Sequence, residues 1–165
     1  MLIGGMPQAI NEYIATQNLQ SVDNVKRRIL KLYADDLHKI DPTDKLRAIF
    51  WAIPSELHKN TTRYQITTVI ENVKADKRNE LLEALRESMI ANIAYHSDDP
   101  NVGLHFNADK SRYKMYLADT GLFVTLAFWD KEFTENVIYS NNIKLFKNIP
   151  IFNNDIGFVY IFCHH

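Results

Sequence analysis

The chain has 165 residues, 46% hydrophobic and 24% charged, with 19 basic and 20 acidic side chains for a formal net charge of −1. This is enough for one domain with a real core plus appendages, and the charge balance argues against a dedicated nucleic-acid binder while leaving room for a local basic patch. A single cysteine, Cys163, excludes an internal disulfide framework and suits a reducing compartment.

Met1-Leu2-Ile3-Gly4-Gly5 lacks the basic region and long apolar run of a signal peptide. Gly4-Gly5-Met6-Pro7 reads as a turn into a helix, with Pro7 at an early helical position. Ile10, Tyr13 and Ile14 share a face of that helix, which is expected to end near Asn18. Ser21 is the expected cap of a longer helix, on which Val22, Val25, Ile29, Leu32, Tyr33 and Leu37 recur at helical spacing. Lys26-Arg27-Arg28 and Asp35-Asp36 fall on its other face and read as solvated charge. Residues 1–40 therefore form a helical lead-in.

Asp41-Pro42-Thr43-Asp44 reads as a helix start, with a capping carboxylate, proline at the first position and an acid in the first turn. Leu46, Ile49, Phe50, Ile53 and Leu57 make its apolar stripe, and Pro54 is expected to kink or restart the helix. Glu56 reads as surface charge. After the loop Asn60-Thr61-Thr62, Tyr64-Gln65-Ile66 is a single strand-like step. Thr67 or Thr68 then caps a small helix holding Val69, Ile70 and Val73. A third helix over 78–89 is expected to bury Leu81, Leu82, Leu85 and Met89. A β-prone segment over 90–96, a turn-rich loop over 97–103 and a second strand over 112–117 follow. In that strand Tyr113, Met115 and Leu117 share one face.

Helix, strand step, helix, turn, helix, strand, loop, strand is the winged-helix order, assigned here to residues 41–130. The expected fold class is mainly α with a small β-hairpin (α+β): a helical lead-in plus a winged-helix domain. Gly121-Leu122-Phe123 reads as a short helix or turn. Residues 131–165 read as an irregular apolar tail. Its stretch 140–163 is dominated by Asn, Ile, Lys, Phe and Tyr, which fits either a strand-rich ending or a truncated or frame-shifted A/T-rich gene. The run 151–163, broken by Asn153, Asn154 and Asp155, is too short and polar to span a bilayer, so the expected location is cytoplasmic. His164-His165 is either natural or the remnant of a purification tag.

Glycine occurs only at positions 4, 5, 103, 121 and 157, and none of them opens a P-loop. His96, Asp98, Asp99 and His105 surround one loop without metal-ligand spacing, and Cys163 beside a chain end is not a prepared nucleophile. No acid–base pair is evident, and no cofactor is implied. The third helix, in the position of a recognition helix, carries Arg78, Asn79 and Arg86, which suit nucleic acid or a partner surface. Glu80, Glu83 and Glu87 on the same helix would oppose phosphates. Lys110, Arg112 and Lys114 add positive charge near the second strand. Three or four phosphate contacts would give only weak DNA binding, each shifting the salt slope by roughly −0.9. A protein-interaction or scaffolding role is therefore the favoured use. The apolar stripe on the second helix, together with the tail, offers a surface for self-association.

Several phrases together resemble a known group: Gly4-Gly5-Met6-Pro7, Ile53-Pro54-Ser55-Glu56-Leu57, Tyr113-Lys114-Met115-Tyr116-Leu117-Ala118-Asp119-Thr120-Gly121-Leu122, and Thr134-Glu135-Asn136. In this order they resemble the C-terminal region of prokaryotic AAA-type P-loop ATPases, a region of unknown function with a winged-helix-like middle. The resemblance covers roughly residues 2–139. It implies that the nucleotide site belongs to an upstream module with both Walker motifs outside this chain, and that the nuclease-like ending of many relatives is lacking after Tyr139. The implied function is a non-catalytic accessory or interaction domain whose partner is that ATPase module or another protein. The alternative is a stand-alone winged-helix DNA-binding regulator using Arg78, Asn79, Arg86, Lys110 and Arg112.

Overall fold

A computed structural model describes residues 2–59, 61, 63–97 and 109–131, and, as backbone alone, residues 108 and 159–162. Six helices and three strands are present among them: α1 (Pro7–Thr16), α2 (Leu19–Ile40), α3 (Lys45–His58), α4 (Ile66–Val69), α5 (Ala75–Glu87), β1 (Ala91–Ser97), β2 (Ala108–Leu117), α6 (Thr120–Ala127) and β3 (Val159–Phe162). The fold is α+β and mainly helical, as the sequence pattern predicts.

Pro7 opens α1, where its missing N–H costs nothing, and the helix ends at Gln17 in the left-handed region (φ 50°). Ala9 is the buried residue of α1, whereas Ile10 and Ile14 are exposed, so the expected Ile10/Tyr13/Ile14 face is not the packed one. The cap of α2 is Asn18 rather than Ser21. Its Oδ1 accepts from the Gln20 and Ser21 amides at 2.8 and 3.3 Å, because an Asx side chain reaches the first free N–H groups as readily as a serine. The α2 stripe is covered, with Val22, Val25, Ile29, Leu30, Ala34 and Leu37 buried; only Leu32 of the expected set faces outward, at 61% exposure. That covering corrects the expectation of a bare stripe for self-association. Residues of α2 share one apolar cluster with Leu46, Ile49, Phe50 and Ile53 of α3 and with Leu122, Phe123 and Leu126 of α6.

Asp41 does two jobs at the next junction. Its N–H donates to Leu37 O and closes α2, while its carboxylate accepts from Thr43 N–H, Thr43 Oγ1 and, at 2.9 Å, Leu46 N–H. Helix α3 thus begins at Lys45, after Asp44 takes a left-handed conformation (φ 62°), and Pro42 sits in the turn instead of the helix. Pro54 does not break α3, which runs on to His58. Glu56, expected at the surface, is 4% exposed and holds the following loop. It accepts from Gln65 N–H at 3.0 Å and Thr68 Oγ1 at 3.2 Å, and it pairs with Lys59.

The Tyr64 step lies against β2 through Tyr64 N–H to Tyr113 O at 2.7 Å, and its hydroxyl donates to Ile49 O at 2.9 Å. Helix α4 is a single turn. Leu81, Leu82 and Leu85 of α5 are buried as expected, but Met89 is 81% exposed, because the helix ends at Glu87 and Met89 turns the chain through a left-handed φ of 58°. Strands β1 and β2 pair antiparallel, Ala91 opposite Leu117 through Tyr95 opposite Tyr113, before an irregularity between Tyr95 and His96. Tyr113, Met115 and Leu117 face the core. β3 pairs antiparallel with the other edge of β1, giving the order β2-β1-β3. It comes from the stretch read from sequence as an irregular tail.

Candidate functional site

Two of the phrases that carry the family resemblance meet in space. Asp119, 7% exposed, caps α6 by accepting Leu122 N–H on Oδ1 at 2.7 Å. Its Oδ2 accepts Gly5 N–H at 2.5 Å, across 114 residues of sequence. Gly4 (φ 80°) and Gly121 press backbone to backbone: a Cβ added at Gly121 would sit 2.6 Å from Gly4 Cα and 2.7 Å from Ile3 O. Glycine is needed here for close approach, and at Gly4 for its left-handed φ as well.

Beside this latch lies a buried polar cluster whose Lys26 and Arg27 were expected on a solvated face. Lys26, 2% exposed, donates to Leu2 O at 2.7 Å and Gly121 O at 3.4 Å. Burial holds its ammonium below the usual lysine range, while Asp23 and Asp119 pull it back up. Asp23 accepts from Thr125 Oγ1 and Arg27 Nε, both at 2.7 Å. Arg27 also donates to Trp129 O at 2.7 Å and Lys131 O at 3.1 Å, and its guanidinium lies 5.1 Å from the Trp129 ring centre. Of the basic triplet, only Arg28 is exposed. These charges tie α2 to the start of the chain and to the end of α6.

A second concavity, about 380 Å³, opens where the Tyr64 step, the first turns of α5 and β2 converge. Arg63, Arg78, Asn79, Lys110 and Tyr113 are among its lining residues, over a floor that includes Ile66 and Leu82. Arg78, Asn79 and Lys110 were expected from sequence as contact residues, and the fold brings these three together. Arg63 was missed, although it flanks the strand-like step. Tyr113 was read only as a core residue. Its ring stacks on Tyr64 with 6.2 Å between centres, and its hydroxyl is buried with no hydrogen-bond partner among the described residues. Burial pushes the Tyr113 phenol up to about 12, with Tyr95 and Glu56 adding to the rise and Arg78 and Arg63 pulling the other way.

The other two expected contacts stand differently. Arg86 pairs with Glu83, and Arg112 donates to Asp109 at 2.8 Å, so each has a carboxylate three residues away on its own element. Asp109 also accepts the Ser111 hydroxyl at 2.6 Å; that bond, with Arg112, holds its carboxyl down at about 2. His96 is buried in β1, while Asp98, Asp99, His105 and Cys163 lie outside the described residues. Among the described residues no three metal-capable side chains gather, and no helix is long and apolar enough to cross a membrane.

Comparison with curated proteins and with solved structures returns no match to this chain. One family model does match, over residues 1–132, which takes in α1 through α6 and therefore the latch, the buried charge cluster and the basic notch together. The chain belongs to that family, described as a domain of unknown function (DUF8612).

Proposed function

We propose that this chain is a non-catalytic, cytoplasmic interaction module of the kind carried by AAA-type ATPases, engaging a protein partner or the ATPase module through the face formed by the Tyr64 step, α5 and β2. One observation carries the reading. The buried charges Asp23, Lys26, Glu56 and Asp119 are all spent on internal hydrogen bonds, whereas Arg63, Arg78 and Lys110 converge on a surface notch without an ion-pair partner among the described residues. Buried polar groups so satisfied rigidify a scaffold, and cations gathered from three elements, Arg63 and Lys110 exposed and Arg78 half-buried, offer it a surface for binding. The phrases resembling the ATPases support the same reading, since two of them build the latch that fixes the scaffold. Sustained ATP hydrolysis by the purified chain would refute it.

A second reading, binding of duplex DNA at the same face, is favoured by the same three cations with Asn79. It is opposed by Glu80, Glu83 and Glu87 on α5 and by the pairing of Arg86 and Arg112. Fluorescence anisotropy with a duplex over a salt series separates the two. Three phosphate contacts predict a salt slope near −3, or roughly 40-fold weaker binding for a fourfold rise in salt. The interaction-module reading predicts no saturable binding at the lowest salt.

A further inference from the structure

The notch is more than a basic surface, because one of its lining residues, Tyr113, carries a buried hydroxyl with no partner among the described residues. Tyr113 is 4% exposed and lines the same concavity as Arg63, Arg78 and Lys110, and its Oη has no partner among the described residues. Leaving a buried hydroxyl unpaired is costly, and the neighbouring Tyr64 shows the alternative, since its own hydroxyl reaches a backbone carbonyl. Among the described residues no carboxylate lines the notch. The nearest acid on β2, Asp109, is committed to Ser111 and Arg112.

We propose that this notch binds a single phosphate group presented as a monoester, with Tyr113 Oη donating to one phosphate oxygen while Arg63, Arg78 and Lys110 neutralise the charge. A compact dianion fits better than a phosphodiester run for two reasons. The cations come from three separate elements and converge on one hollow, where a diester backbone would be met by cations strung along an edge. The orphan hydroxyl is recessed, so its acceptor must enter end-on, and a terminal phosphate can do so whereas a diester oxygen is flanked by two ester substituents. Asn79 at the rim supplies an amide for whatever carries the phosphate. The inference does not depend on the partner reading: a phosphate could come from a nucleotide or from the end of a nucleic-acid strand, and the notch would treat them alike.

Thermal unfolding and ³¹P line broadening with inorganic phosphate, against chloride at matched ionic strength, test the proposal. At about ten times its Kd, phosphate is expected to raise the Tm by about 3–6 °C. Arg78→Ala and Tyr113→Phe are each expected to weaken phosphate binding roughly tenfold, the loss of one hydrogen bond to a charged group. Tyr113→Phe keeps the ring stack and removes the orphan hydroxyl, so its own Tm in chloride should not fall, which separates a lost ligand contact from lost folding. Adenosine monophosphate and a 5′-phosphorylated single strand with its 5′-hydroxyl twin then identify the source. Preference for the phosphorylated strand over the mononucleotide assigns a strand end, and equal affinity for mononucleotide and phosphate assigns a small molecule. A phosphate response no larger than that to chloride, unchanged binding by Tyr113→Phe, or equal binding of both strands without a phosphate response would overturn the site.

Discussion

Replacing Asp119 by alanine should loosen both ends of the domain at once. Its carboxylate accepts Leu122 N–H at the start of α6 and Gly5 N–H at the start of the chain, and both donors are left without it. Losing an N-cap costs about 1 kcal/mol, and losing a long-range hydrogen bond to a charged, nearly buried acceptor costs about 1.5–3 kcal/mol. The Lys26 ammonium, already held down by burial, also loses one of the two charges that favour it. A total of about 2–4 kcal/mol is expected, against a typical domain stability of about 5–15 kcal/mol, or a Tm lower by about 5–15 °C. Urea denaturation followed by circular dichroism gives the loss directly. Amide exchange locates it: Gly5 and Leu122 should exchange much faster while the amides of α3 keep their relative protection. Gly121→Ala is the independent arm, since its Cβ would meet Gly4 and Ile3 backbone atoms that cannot rotate away; it should cost about 1–3 kcal/mol and expose the same Gly5 amide. If Asp119→Ala unfolds within about 0.5 kcal/mol of the parent, a change typical of an ordinary surface site, the latch is not holding the chain start and the reasoning fails.

Glu56→Ala should destabilise by about 2–4 kcal/mol in the same urea assay, because it strands Gln65 N–H beneath the loop and frees Lys59; a loss typical of an exposed glutamate would return it to the surface. Tyr64→Phe removes the buried bond to Ile49 O while keeping the stack on Tyr113, and should cost about 1 kcal/mol without altering the near-ultraviolet signature of the ring pair. Asp109 should titrate with a midpoint at about 2 by carboxyl-carbon NMR. Its folded value lies below the ordinary 3.8, so the stability it lends is complete above that value and is lost as pH falls through about 2. Ser111→Ala should move the midpoint back up, and an unmoved midpoint would show that the hydroxyl is not its main partner.

The apolar skeleton was legible because burial is periodic. The stripe Leu46, Ile49, Phe50, Ile53 and Leu57, the triplet Leu81, Leu82 and Leu85, and the alternation Tyr113, Met115 and Leu117 all became core. Element ends were less legible wherever several residues could cap. Asn18 displaced Ser21, and Asp41 capped across a turn from outside the helix it was expected to start. Half of the notch could be read in advance, since Arg78, Asn79 and Lys110 are polar residues on elements whose other face is apolar. Arg86 and Arg112, expected as contacts, instead pair with Glu83 and Asp109, acids that stand three residues before each in the sequence. Arg63 and the Tyr113 hydroxyl were missed because nothing local marks a loop arginine or a strand tyrosine as neighbours of α5.

The deeper misreading concerns Lys26, Arg27 and Glu56, and it has one cause. Polarity along a helix announces a solvated face only when the groups opposite it are apolar, and here they are backbone atoms. Lys26 reaches Leu2 O and Gly121 O, Arg27 reaches the carbonyls of Trp129 and Lys131, and Glu56 reaches the amide of Gln65. Every residue carries those groups, so composition and periodicity cannot signal that a carbonyl 95 residues away waits for an ammonium. The glycines were the local clue. Gly4-Gly5 and Gly121 let two backbones come close enough to expose their carbonyls to one buried lysine, and Asp119 then supplies the countercharge and the cap together. Two phrases that look like family signatures of a function are thereby accounted for by folding. The chemistry left for function is what folding has not consumed, and among the described residues the cations and the stranded hydroxyl of the notch fit that description best.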